Sequence, residues 1–157
     1  MNGGTEPEWG TGGRNPEWAA WRGDKWGTHV PNAAHNREQE GDRSRAVNAM
    51  AAFTRAQITD KPVPHLEWKH DDDAAGRMRL TVTTKPAPTG ARLWVVTAPT
   101  RDFRKAKWVR RPATIYEEIV MGLVDAPTAG CVAFFGYLYA ELGGIYTRLC
   151  PPMPVAG

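Results

Sequence analysis

The hydrophobic period of this chain changes once, at Pro62 and Pro64, and that change sets the kinds of fold open to it. Ahead of the prolines, "AVNAMAAFTRAQI" places Ala46, Met50, Phe53 and Gln57 along one edge, with Val47, Ala51 and Ile58 beside them. This predicts an amphipathic helix of about three to four turns, capped by Asp42 and finished before Pro62. Its alanine richness suits close packing against a sheet. Beyond the prolines the period is two: in "RMRLTVTT", Met78, Leu80 and Val82 alternate with Arg77, Arg79, Thr81 and Thr83, as in a half-solvated strand. "HLEWKH" precedes it across "DDDAAG", which has the composition of a hairpin loop. "ARLWVVTA", "TIYEEIVMGLV" and "CVAFFGYLYAEL" follow, and Gly143-Gly144 turns the chain into "IYTRLC". Six or seven strands within about 90 residues, separated by Pro and Gly turns, predict an antiparallel β-sandwich of immunoglobulin-like size.

The boundary of that sandwich falls near Asp60 to Pro64, giving segments 1–60 and 61–157. Residues 1–24 carry Trp9, Trp18 and Trp21 among glycines with no clean period, and the echo of "EPEW" in "NPEW" is too short for a solenoid repeat. A loop, a strand, a corner and a helix do not make a layered domain by themselves. A chain of 157 residues buries about 70% of its unfolded surface, so one compact unit with an appendage is expected.

Composition removes several function classes. With 41% hydrophobic and 24% charged residues the chain is globular rather than disordered, and a net charge of +3 gives little steering toward nucleic acid or an acidic membrane. Basic residues concentrate only between Arg101 and Arg111, where Phe103 and Trp108 are interleaved. Such a stretch can stack bases and touch phosphates. The modest net charge favours the alternative, in which Asp102 pairs with Arg101 or Arg104 while both aromatics enter the core, so no nucleic-acid partner is expected. No run approaches the roughly 20 apolar residues of a membrane span, and "MNGGTEPEWG" has no signal-peptide pattern, so the chain as written reads as cytoplasmic.

The candidate ligand sets are sparse. Asp71, Asp72 and Asp73 beside His70 lack the alternate spacing of a calcium loop and read as a solvated hairpin tip, so neither metal nor cofactor is expected. His29 reads as a surface residue and His65 as a strand entry. If Gly143-Gly144 is a two-residue turn, Leu142 faces Ile145 and Cys150 faces Tyr137. Cys131 then lies about 20 Å from Cys150, beyond the roughly 7 Å that a disulfide tolerates, and both thiols are free and buried.

The remaining feature is "KWGTHVPNAAHN", a β-like approach, a Pro31-Asn32 corner and a histidine, His35, followed by helix. Three segments, "RGDKWGTHVPNAAHN", "LWVVTAPTRDFRKAKW" and "AFFGYLYAELGGIYTRL", together resemble the C-terminal part of the PhoPQ-activated pathogenicity-related proteins, over most of residues 3 to 150. The RDFR segment is the most specific element. The resemblance implies the last strand-loop-helix portion of an α/β-hydrolase-like domain followed by a β-rich region. The fold class is then mixed and β-dominated, with a C-terminal antiparallel immunoglobulin-like β-sandwich. It also implies that His35 stands at the position of a catalytic base. "NGGTEPEW" occupies the place of the family's N-G-T-N-D-P-Y-W, which puts Glu6 on its acid position, with Glu8 the nearby alternative. Family members are generally exported.

The third member of such a triad is a serine in a strand-to-helix elbow of the form G-x-S-x-G, ahead of the acid. The single serine, Ser44, follows the histidine in "DRSRA". An acid and a histidine without a nucleophile orient each other but do not carry out acyl transfer. Two functions therefore stand: a partial serine-hydrolase-like chain inactive alone, or a non-enzymatic β-sandwich module binding a protein or a glycan.

Overall fold

The computed structural model describes residues 27–33, 40–151, 153, 155 and 156. In chain order they form α1 (Glu40–Ile58), β1 (His65–Asp72), β2 (Met78–Lys85), β3 (Gly90–Ala98), β4 (Val109–Pro112), β5 (Thr114–Tyr116), β6 (Ile119–Val124), β7 (Cys131–Leu142), β8 (Ile145–Leu149) and β9 (Val155–Ala156). The strands make two sheets, ordered β1-β2-β6-β5 and β4-β3-β7-β8, with β9 also on β7. Every pairing is antiparallel. The fold is β-dominated, as the change of period predicts.

The sheets meet on the expected faces. Met78, Leu80 and Val82 of β2 point inward while Arg79, Thr81 and Thr83 are half-buried on the other side. Leu80, Val82, Leu93, Val120, Val132, Phe134 and Leu138 form the layer between the sheets. Gly122 on β6 makes that layer possible, since a Cβ there would stand 2.4 Å from a methyl of Leu93. The tight turn after β7 has Gly143 and Gly144 at φ 56° and 81°, and Leu142 pairs with Ile145 as the two-residue turn requires. Neither cysteine is in a disulfide, and both are buried.

β7 does not alternate. Its first eight residues are all buried, because the sheet of β3 and β7 is covered on both sides. Its outer face holds Trp94, Val96, Cys131, Ala133, Phe135 and Tyr137, and onto it pack Phe103, Trp108, Cys150 and Met153. Two local readings change. "TIYEEIVMGLV" is a hairpin of two strands, β5 and β6, turning at Glu117 with φ 52°. "VRRP" forms an additional edge strand on β3.

The helix is longer than its pattern indicated. It spans 19 residues and begins at Glu40, so Asp42 lies inside it rather than at its cap. Its end is marked by Asp60 at φ 50°, with Thr59 N donating to Arg55 O at 2.9 Å and Lys61 N to Ala56 O at 2.8 Å. The alanine face is the inward one. Ala52 and Ala56 join the inter-sheet layer beside Leu142 and Leu149. Gly143 passes so close that a Cβ there would stand 3.2 Å from Ala56 N. Only short side chains fit that approach. Met50 and Ile58, two of the larger apolar residues in the pattern, consequently point away from the sandwich and are 60% and 79% exposed. No helix among the described residues is long and apolar enough to cross a membrane.

Candidate functional site

The corner ahead of His35 is built from four buried residues and one turn. His29, Val30, Pro31 and Ala33 are buried, and Asn32 between them adopts φ 61°, a left-handed conformation that asparagine tolerates better than most residues. Its side-chain amide faces the loop before β4. Nδ2 donates to the carbonyl of Trp108 at 3.1 Å, and Oδ1 accepts from the Trp108 amide at 2.7 Å. The pair imitates one rung of an antiparallel ladder across 76 residues of sequence.

Trp108 is itself fixed. Its indole is buried and meets Phe135 edge-on at a centroid distance of 5.1 Å. The loop that delivers it is folded by the RDFR segment: Asp102 accepts from the Arg104 amide at 3.1 Å and from its guanidinium Nε at 2.8 Å. The Arg104 guanidinium, then its amide, hold the Asp102 carboxyl down at about 2. Phe103 is buried beside Trp108. The favoured reading of this basic segment therefore holds in its pairing and its buried aromatics. The aromatics enter the outer layer of the β3–β7 sheet rather than the space between the sheets.

The approach to the corner is held from the other side. Gly27 bridges to Cys150, whose amide donates to Gly27 O at 3.0 Å. The His29 amide donates to Cys150 Sγ at 3.1 Å, and the Tyr137 hydroxyl donates to His29 O. The His29 ring packs against Phe135 at 4.7 Å. His29 is 5% exposed, so it is a core residue and not the surface histidine its sequence context indicated. Burial pushes the Tyr137 hydroxyl far above its ordinary range, and the neighbouring Cys150 pushes it the same way, so it remains a donor. Val30 and Ala33 close the arrangement by packing on Ala46 of α1.

The segment that carries His35 thus begins at a corner clamped to the sheet and leads into a helix clamped to that corner. His35 itself lies outside the described residues, as do Glu6 and Glu8. Ser44 is inside α1, away from any strand-to-helix elbow. His65 begins β1 and stands 3.3 Å from Glu67 on the surface. Asp71 and Asp73 are consumed by local pairing: Arg79 chelates Asp71 at 2.7 and 2.8 Å, and Asp73 accepts from the amides of Ala75 and Arg77. Among the described residues, no group of three His, Cys, Asp or Glu side chains could hold a metal ion.

Sequence reasoning missed Asn32, His29 and Tyr137 as the residues that position the corner. The Pro-Asn turn signals a left-handed residue, but nothing local in the sequence names a partner 76 residues away.

A β-sandwich with a turn clamped to the outer face of one sheet, and a helix packed on its β7–β8 hairpin, is the class of protein defined by these features. The family model for the PhoPQ-activated pathogenicity-related proteins matches residues 16–104. The chain belongs to that family. The match includes the corner, His35, α1 and the loop through Arg104, while Glu6 and the β7–β8 hairpin lie outside it. No curated protein matches the chain. No solved structure matches it either.

Proposed function

We propose that this chain is the histidine-bearing part of a serine-hydrolase-like protein and has no hydrolase turnover by itself. His35 is the general base and Glu6 its orienting acid, with Glu8 the alternative. The serine they would serve is not among the 157 residues. The observation that carries this reading is the clamp between Asn32 and Trp108. A catalytic histidine needs a main chain held to within fractions of an ångström, and two hydrogen bonds from the adjacent corner to the main chain of the buried Trp108 supply that rigidity. The family match, which covers the corner, His35 and the loop as far as Arg104, supports it.

In this reading residues 1–60 are the end of an α/β-hydrolase-like domain and residues 61–157 an immunoglobulin-like sandwich. The strand order supports the latter. β1-β2-β6-β5 facing β4-β3-β7-β8 is the A-B-E-D and C′-C-F-G arrangement of that architecture.

A fluorophosphonate probe should fail to label the chain, and ester hydrolysis should not exceed that of His35→Ala. Clear His35-dependent turnover would overturn the inactivity. The Glu6 assignment has its own readout: a paired carboxylate raises a histidine pKa, so Glu6→Gln should move the NMR titration of the His35 ring to lower pH and Glu8→Gln should not. The reverse result would reassign the acid.

A second reading, a binding module for a protein or glycan, is favoured by one surface. Ile119, Met121 and Leu123 of β6 are exposed, with Tyr116 of β5 opposite Ile119. A glycan or protein ligand that perturbs these residues in solution would support it.

A further inference from the structure

The second half of the basic run, "KAKWVRR", ends in β4, and strand pairing decides which of its charges meet others. Arg110 is opposite Trp94 and Pro112 is opposite Arg92, so Arg92 and Arg110 are diagonal neighbours on the outer face of the β3–β7 sheet. Such neighbours stand about 7–8 Å apart, within reach of two long side chains. Trp94 belongs to the same cluster. The Arg110 guanidinium lies over its ring, 5.2 Å from the centroid, and the ring meets Tyr137, the residue opposite Arg92, at 6.0 Å.

Two features of this cluster lack a counterpart. Arg92 and Arg110 are exposed, and among the described residues neither meets a carboxylate, whereas Asp71, Asp73 and Asp102 are each taken up by an arginine of their own. The acid that the pairing puts on this face is Glu141, opposite Tyr146. It stands about 13 Å along β7 from the residue opposite Arg92. Against the burial that raises the Tyr137 hydroxyl, Arg45 and Arg148 pull it down, so the field over this part of the face is positive. The other feature is a proton. Trp94 is 6% exposed, and its indole Nε1 has no acceptor among the described residues. A buried N–H without an acceptor is a standing cost that a ligand can remove.

We propose that Arg92, Arg110 and the Trp94 indole form a binding site for a phosphate group, free or as an ester. A carboxylate lies in one plane and satisfies one guanidinium fork, whereas the tetrahedral oxygens of phosphate can be shared between two forks and a third donor. In the complex the Arg110 fork turns from the ring face to the anion, and an oxygen of the anion accepts from Nε1, which is closed to solvent without it. Trp94 and Tyr137 are too deeply buried to stack on a base, so the ligand is recognised by its anion rather than by a nucleobase. None of the three residues belongs to the His35 corner, and the site does not rest on the hydrolase reading.

Titrating the full chain with sodium phosphate at constant ionic strength, with indole N–H resonances followed by NMR, tests the site. Trp94→Phe identifies the Trp94 resonance by its loss. Phosphate should move that resonance downfield along a saturating curve, and chloride should not. Arg92→Gln and Arg110→Gln should each weaken binding about tenfold, as the loss of one charge-assisted hydrogen bond does, while Lys85→Gln, which removes the same charge from the other sheet, should change it by less than about twofold. A Trp94 resonance that phosphate leaves in place would overturn the proposal. So would equal weakening in all three variants, since phosphate would then be responding to net charge. Glycerol phosphate and inorganic phosphate, compared on the same resonance, separate the sources: tighter binding of the ester supports a phosphate carried on a larger ligand, and tighter binding of the ion supports the free anion. Cys131 and Cys150, both buried, should stay unreactive to iodoacetamide in every variant, which certifies the fold.

Discussion

The side-chain amide of Asn32 and the main chain of Trp108 form a closed pair of hydrogen bonds that joins the His35 corner to the RDFR loop. The two most recognisable segments of the chain are thereby one structural unit. Neither is held by long stretches of sheet: the corner is seven described residues with a single bridge, and the loop is a set of turns.

Replacing Asn32 should release this unit. Asn32→Ala removes both hydrogen bonds, each worth about 1 kcal/mol net, and places alanine in a left-handed conformation that costs about 1–2 kcal/mol. A total loss of about 3–4 kcal/mol in urea unfolding is expected. Asn32→Gly relieves the backbone term and should lose about 1 kcal/mol less. Exchange of the Trp108 amide, measured by NMR, should accelerate in both variants. An unchanged Trp108 amide would mean that the pair does not hold the loop.

Gly122 predicts a different kind of failure. Its missing side chain is the space that Leu93 occupies, and Leu93 is buried with no room to retreat. Gly122→Ala should therefore destabilise by about 1–3 kcal/mol through overpacking, and Leu93→Ala alone by about 2–5 kcal/mol through the cavity it leaves. The double variant should lose at least about 1 kcal/mol less than the two losses added, since the new methyl fills part of the cavity. Strict additivity by denaturant melts would place the two residues out of contact.

How far the sequence could be read follows from these residues. The strands were legible because Leu80, Val82 and their polar neighbours alternate, and the β7–β8 register because Gly143-Gly144 permits one turn geometry. The helix was legible as a helix, but two apolar arcs of similar length gave no local sign of which faced inward. The close approach of Gly143 decides for the alanines, and that contact is tertiary. The outer layer was hidden for the same reason. Phe135 and Tyr137 look like ordinary alternating strand residues, and His29, Trp108 and Cys150 are brought to them from three separate parts of the chain.

Acid should weaken the fold through three surface carboxylates. Arg79, followed by Lys69, holds Asp71 far below the usual carboxylate range; the Arg77 amide and guanidinium lower Asp73; and Arg104 holds Asp102 at about 2. Each is depressed in the folded state, so its contribution is complete above the unfolded value near 4 and disappears as pH falls through the folded value. Melting temperature should thus be insensitive to these groups above about pH 5 and fall as pH drops from about 4 toward 2. In Arg79→Gln, carboxyl resonances should show Asp71 titrating at distinctly higher pH. A profile that rose with acid would contradict the sign.

The hydroxyl of Tyr137 tests the other half of the corner. It donates to His29 O from inside the layer formed by Trp94, Phe135 and Cys150. Tyr137→Phe preserves the ring packing while leaving a buried carbonyl without its donor, which costs about 1–3 kcal/mol. Because burial keeps the hydroxyl protonated, the wild-type bond should persist into alkaline solution, while stability should fall above about pH 10, where the tyrosine of the unfolded chain ionises and the buried one does not. The local signature separates this from a general loss of packing. The Cys150 amide, bonded to Gly27 O beside the lost contact, should exchange faster in Tyr137→Phe, while amides between β1 and β2 keep their protection relative to global stability. Uniform acceleration across both sheets would instead make Tyr137 a generic core residue with no particular hold on the corner.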